Sequence, residues 1–149
     1  MEKKQRTGAK GSDVTIDSNG LESIEEKSKK LKILIAEDDE ASSLLIELAT
    51  EEIANEIIHV NNGMSAIEAC LNNPDIDLIL MDIQMNVLNG FEAVRQIRKF
   101  NKEVVIIAQT AFALTGSREA ALDVGCNDYI SKPMSLDNLM KMIQSHLKR

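Results

Sequence analysis

The chain has 149 residues, 44% of them apolar, and a formal charge of −7. That is one domain in size with enough apolar matter for a core, and the acidic balance argues against a nucleic-acid partner. No apolar stretch reaches the ~20 residues that cross a bilayer, and the opening Met1-Glu2-Lys3-Lys4-Gln5-Arg6 has no apolar run behind it, which excludes membrane contact and a secretory signal.

Residues 1–31 are polar, with seven Lys/Arg against six Asp/Glu, and read as a flexible leader or linker. The remainder, 32–149, holds ten against eighteen, so the negative charge belongs to the folded part. Strand and helix patterns alternate from Lys32 onward. Ile33–Ala36 is an apolar run, and Leu44, Leu45, Leu48 and Ile53 then recur at helical spacing. Ile57–Val60 is a second short strand. Met64, Ile67 and Leu71 line a helical face that ends at Asn72-Asn73-Pro74-Asp75. A third strand spans Asp77 to Asp82. Asn89 with Glu92 resembles a capping box opening a helix whose Phe91, Val94 and Ile97 face inward. Val104–Ala108 is the fourth strand, Gly116–Val124 a helix stopped by Gly125, and Asn127–Ser131 the fifth strand. Ser135 caps a last helix carrying Leu136, Leu139, Met140, Ile143 and Leu147.

Five strands alternating with five helices predict an α/β fold, a doubly wound parallel sheet covered on both faces. Aromatic residues are only 3% of the chain, so aliphatic runs must form the interior, as in parallel sheets. Ligands of such sheets bind outside the carboxyl ends of the strands. This brings Glu37, Asp38, Asp82, Thr110 and Lys132 to one rim. Several carboxylates facing one ammonium suit a divalent metal, and Mg2+ is the ordinary ion for such a cluster. Cys70 and Cys126 lack metal or redox spacing and read as buried free thiols, which suits a reducing, cytoplasmic setting. His59 and His146 read as structural or solvated, and Met81 and Met85 as packing. An acidic run such as Glu37-Asp38-Asp39-Glu40 also has a plainer explanation, a helix start favoured by the macrodipole.

Residues 32 to 148 resemble a response-regulator receiver domain of two-component signalling, most closely that of a hybrid sensor histidine kinase. The resemblance rests on Ile33-Leu34-Ile35-Ala36-Glu37-Asp38, Leu80-Met81-Asp82-Ile83-Gln84-Met85, Gly90 eight residues after Asp82, Thr110-Ala111 and Tyr129-Ile130-Ser131-Lys132-Pro133. It implies a flavodoxin-like (βα)5 fold with strand order 2-1-3-4-5. It implies that Asp82 accepts a phosphoryl group from a phosphohistidine on a histidine kinase or histidine-phosphotransfer protein. It further implies that Glu37, Asp38, Asp82 and the backbone carbonyl of Gln84 hold Mg2+, with Glu37 acting through a metal-bound water. Lys132 would pair with the phosphoryl group or, before modification, with the Asp82 carboxylate. Thr110 and Tyr129 would act as the switch, which makes the helix after Thr110 and the last helix the partner-binding face and the place for a dimer. Such a domain assists its own phosphorylation and dephosphorylation without being a turnover enzyme alone.

The stretch Met85-Asn86-Val87-Leu88-Asn89-Gly90 departs from the family's common Met-Pro-x-Met-Asp-Gly. Asn86 in place of Pro leaves the loop more mobile, while Asn89 can still cap the helix. Phe112, two residues after Thr110, is bulky enough to obstruct attacking water, which predicts a long-lived acyl phosphate; slower hydrolysis in Phe112→Ala would contradict this. Three rival readings remain. A haloacid-dehalogenase-type phosphatase would need a second carboxylate where this chain has Gln84. A flavodoxin-like nucleotide binder would not present Glu37, Asp38 and Asp39 to a phosphate. An interaction module that keeps the fold without phosphorylation is the third. The chain ends just past the last helix, with no output domain expected after it; a single-domain regulator, a phosphorelay shuttle and a hybrid-kinase receiver all fit.

Overall fold

The computed structural model describes residues 29–111, 115–132 and 135–147. The Phe112 and Pro133 expectations and most of the leader lie outside the described residues. Leu31–Lys148 forms one compact unit. Its elements in chain order are β1 (Leu31–Ala36), α1 (Glu40–Thr50) with a 3₁₀ turn at Glu51–Ile53, β2 (Ala54–Val60), α2 (Gly63–Asn72) and β3 (Leu78–Asp82). They continue with α3 (Gly90–Arg98), β4 (Val105–Thr110), α4 (Ser117–Val124), β5 (Asp128–Ser131) and α5 (Leu136–Leu147). All the strands pair in parallel, in the order β2-β1-β3-β4-β5. The expected flavodoxin-like arrangement is therefore the one observed.

Successive residues of a strand point to opposite faces, and each face here has its own core. Leu34, Ala36, Ile79, Met81, Ile106 and Ala108 pack with residues of α2, α3 and α4. Ile33, Ile35, Leu78, Leu80, Val105 and Ile107 pack with Ile46 of α1 and with Leu139 and Ile143 of α5. Helices on both faces explain why the central strands read as unbroken apolar runs.

Helix ends follow local chemistry. Asp39, Asn62 and Asn89 each accept a hydrogen bond from the backbone N–H three residues on, at 2.9, 2.8 and 3.0 Å, and Ser135 does the same for Asn138 at 3.0 Å. The expected capping box at Asn89 is only half formed, because the Glu92 carboxylate turns forward to Arg95 and Gln96 instead of back to Asn89. Gly125 stops α4 at φ +118°, where a Cβ would also stand 2.7 Å from the Arg98 side chain.

The apolar faces of α1 and α2 differ from expectation. Leu44, Leu45 and Leu48 are exposed, and α1 buries Ile46 and Thr50 instead. On α2, Met64 and Leu71 are exposed, whereas Gly63, Ala66 and Cys70 are buried. Small residues let α2 lie close to its neighbours: a Cβ on Gly63 would collide with the backbone of Leu88. Helical spacing counted apolar residues correctly but could not say which stripe docks. Leu80→Ala should therefore cost about 2–5 kcal/mol and Leu48→Ala under about 1 kcal/mol in urea unfolding. Equal losses would show that α1 docks through its leucines.

Candidate functional site

Strand register assembles the site. Ala36 of β1 lies beside Met81 of β3, Asp82 beside Gln109 of β4, and Thr110 beside Ser131 of β5. The residues that end these strands, or follow them by one, are Glu37, Asp82, Thr110 and Lys132. They reach the same edge of the sheet although 95 positions separate Glu37 from Lys132. The strand order reverses at β1 and β3, where a crevice is expected in an open α/β sheet.

Glu37, Asp38 and Asp82 offer carboxylate oxygens that all lie within 4.8 Å of one another. Asp38 is exposed, whereas Glu37 and Asp82 are buried at 4% and 3% relative exposure. The acidic run therefore splits its tasks. Asp39 caps α1 through Ser42, Glu40 lies in the first turn, and only Glu37 and Asp38 join Asp82.

Lys132 is the opposing charge; it pairs with Asp82 as expected and, more closely, with Glu37. Its ammonium lies 2.7 Å from Glu37 Oε1 and 3.5 Å from Asp82 Oδ2, so Glu37 is the closer ion pair. Glu37 also accepts from the Asp39 backbone N–H at 3.1 Å and from the Gln109 side-chain amide at 3.4 Å. Three donors converge on one buried carboxylate. Gln109 carries no motif or spacing that marks it in the sequence; it sits in an apolar strand as a fully buried amide, a signal that becomes legible only once burial is known.

Asp82 has fewer donors. Among the described residues, its Oδ1 accepts the Gln84 backbone N–H at 3.0 Å and its Oδ2 has the longer contact to Lys132. Burial and then the Glu37 charge push the Asp82 carboxyl up to about 7, against the pull of Lys132. Burial works to lower the Lys132 pKa, but the Glu37 hydrogen bond and the attraction of Asp82 and Glu37 outweigh it, leaving a net rise.

Thr110 is buried, and its hydroxyl donates to the Gln84 side-chain carbonyl. Besides the backbone carbonyl expected as a metal ligand, Gln84 engages Asp82 through its backbone N–H and Thr110 through its side chain. Tyr129 is half-buried against the core under α2, α3 and α4, with its hydroxyl out of reach of solvent. Gly90 closes the loop after Asp82, donating its N–H to the Ile83 carbonyl at 3.0 Å. A Cβ there would stand 2.5 Å from the Asp82 carbonyl oxygen, which explains a glycine eight residues after the carboxylate. An open cavity of about 510 Å³ adjoins Glu37 and Asp38 on the α1 and β2 side, lined also by Ser43, Leu44 and His59; neither Asp82 nor Lys132 lines it. His59, expected to be structural, bonds Ser43 at 2.9 Å and Glu47 at 3.0 Å and ties β2 to α1. Cys70 and Cys126 are buried and free, with burial pushing their thiols up to about 11 and about 12, so neither offers a thiolate.

Residues 33–144 match the response regulator receiver domain family. The chain belongs to that family. Its setting is accordingly two-component or phosphorelay signalling. It is 40% identical to hybrid signal transduction histidine kinase G of Dictyostelium discoideum over 80% of its own length, which is 4% of that protein. Several curated relatives are much longer, and the chain spans between 4% and 53% of their length. Among solved structures, it is 34% identical to the receiver domain of sensor histidine kinase PA1611 from Pseudomonas aeruginosa PAO1, with a TM-score of 0.73. That match covers 80% of this chain and 99% of the other, whose active-site cleft holds a magnesium ion. It is 32% identical, with a TM-score of 0.71 over 78% of this chain and 88% of the other, to a chain from the Saccharomyces cerevisiae co-crystal of the phosphotransfer protein Ypd1 with the receiver domain of Ssk1. Among the described residues, no helix is long and apolar enough to cross a membrane.

The raised Asp82 pKa fixes a sign for stability. Between about pH 4 and about pH 7 the folded chain holds a proton on Asp82 that the unfolded chain has lost, so stability falls as pH rises through that window. Asp82→Asn removes the cost. In metal-free buffer it should stabilise the fold by about 1–3 kcal/mol above pH 7 and by almost nothing near pH 4. Chemical unfolding across pH measures this, and destabilisation at pH 8 would contradict the charge assignment.

Proposed function

We propose that this receiver takes a phosphoryl group from a phosphohistidine onto Asp82. The observation that carries this reading is the poise of Asp82: a buried carboxylate at the end of a central strand, 3.5 Å from an ammonium and held by one backbone N–H. A carboxylate is a weak nucleophile, so transfer depends on positioning and on neutralising the phosphoryl oxygens. The phosphorus–nitrogen bond of the donor breaks as an Asp82 oxygen bonds phosphorus, and the bond's electron pair leaves with the imidazole.

Glu37, Asp38 and Asp82, with the Gln84 backbone carbonyl, would hold Mg2+. The fit is supported by three carboxylates within 4.8 Å, two of them buried, with one ammonium between them. The ion supplies charge neutralisation and orientation of phosphoryl oxygens. Lys132 is a compact point charge beside Asp82 Oδ2, placed to move from Glu37 toward a new phosphoryl oxygen. The modification adds about −1.5 to −2 charge, which must be met by donors that were engaged elsewhere. Thr110 and Tyr129 would report it, and β5 carries the signal outward: Asp128, next to Tyr129, bonds His146 of α5 at 2.8 Å and Arg118 of α4 at 3.2 Å. The face formed by α4, β5 and α5 is thus the expected output and dimer surface.

We read residues 1–31 as a leader and 32–149 as the receiver, working in the cytoplasm of a hybrid kinase or phosphorelay pathway. The donor is a histidine kinase or a histidine-phosphotransfer domain, a class supported by the Ypd1 and Ssk1 co-crystal of a 32% identical relative. Acetyl phosphate with Mg2+ should add one phosphoryl group, visible in intact-mass spectrometry and absent in Asp82→Asn. Lys132→Ala should slow the addition on the order of tenfold or more. No adduct, or one that survives Asp82→Asn, would overturn the reading.

A further inference from the structure

Gln84 makes two bonds that join the acceptor to the switch. Its backbone N–H donates to Asp82 Oδ1, and its side-chain carbonyl accepts the Thr110 hydroxyl proton. Thr110 is 1% exposed, while Gln84 itself is exposed at the rim of the loop after β3. The Thr110 hydroxyl has one proton to donate, so it cannot serve Gln84 and a new acceptor on Asp82 at the same time.

We infer that the Gln84 side chain is a latch on Thr110: a positioning residue that holds the switch hydroxyl in its unmodified orientation and opposes the modified state. This inference rests on the reading of Asp82 as acceptor. When Asp82 carries a phosphoryl group, the Thr110 to Gln84 bond is exchanged for a bond to a phosphoryl oxygen. The exchange is favourable because an ionised acceptor makes the stronger hydrogen bond. Breaking the existing bond is a fixed cost on activation. Because Gln84 is exposed, its amide is satisfied by water after release, and a replacement side chain there does not disturb the core.

The latch also gives Gln84 a different task from Gln109. Gln109 is buried and directs its amide N–H to Glu37, whereas Gln84 directs its carbonyl to Thr110. The two amides hold opposite sides of the cluster, one on the metal-side carboxylate and one on the switch.

The test compares wild type with Gln84→Met, which keeps the length and loses the acceptor, and Gln84→Ala, which removes the side chain while keeping the backbone N–H. The first readout needs no phosphoryl chemistry: three-bond couplings of Thr110 in the unmodified protein report its χ1 rotamer. One dominant rotamer is expected in wild type and a shift of the rotamer populations in both variants. The second is titration with beryllium fluoride and Mg2+, a phosphoryl mimic, where both variants should bind about two- to tenfold tighter, the worth of one net hydrogen bond. Unchanged Thr110 couplings together with unchanged affinity overturn the latch. Weaker binding in both variants also overturns it, because Gln84 would then support the adduct. If wild type takes up no adduct, the acceptor reading fails, and the Thr110 couplings alone decide whether the latch exists.

Discussion

Three carboxylates share one ammonium at the carboxyl edge of the sheet, and the site depends on that imbalance. Glu37, Asp38 and Asp82 lie within 4.8 Å of one another, and Lys132 reaches Glu37 more closely than Asp82. Like charges at this range in a partly buried setting repel by several kcal/mol before compensation. The fold tolerates this because two aliphatic cores hold the strands in register. The cost falls on Asp82, whose carboxyl is pushed up to about 7 chiefly by burial and by Glu37. On the proposed reading, this same buried group is the one with most to gain from a cation and a phosphoryl group.

Donors are spread unevenly for a reason. Glu37 collects an ammonium, a backbone N–H and an amide, and it is thereby fixed. Asp82 keeps one backbone donor and a long contact to Lys132, which leaves its oxygens open. The proposed nucleophile needs free lone pairs, and its fixed negative neighbour needs none. Gly90 shapes the loop behind Asp82, and Asp128 links β5 to both α4 and α5.

Much of this was legible in the sequence, because aliphatic runs ending in polar residues mark strands of a covered parallel sheet. The rim of Glu37, Asp38, Asp82, Thr110 and Lys132 followed from that topology alone. Three features were not legible. The docking stripe of α1 depends on how the helix is rotated, and Leu44, Leu45 and Leu48 gave a false one. The preference of Lys132 for Glu37 is set by less than an ångström of separation across strands distant in sequence. The side-chain task of Gln84 depends on a rotamer beside Thr110, which no spacing rule encodes. Asp39 shows how both explanations of an acidic run can hold at once, one residue capping a helix while its neighbours form the cluster.

If the cluster is a strained anion site that a cation relieves, Mg2+ must stabilise the fold through these carboxylates. Thermal unfolding with increasing Mg2+, in wild type and in Asp38→Asn, is the most direct test. A Tm that rises with Mg2+ in wild type and is nearly flat in Asp38→Asn is expected. A wild-type Tm that ignores Mg2+, or an equal rise in the variant, would contradict relief of the cluster by a cation.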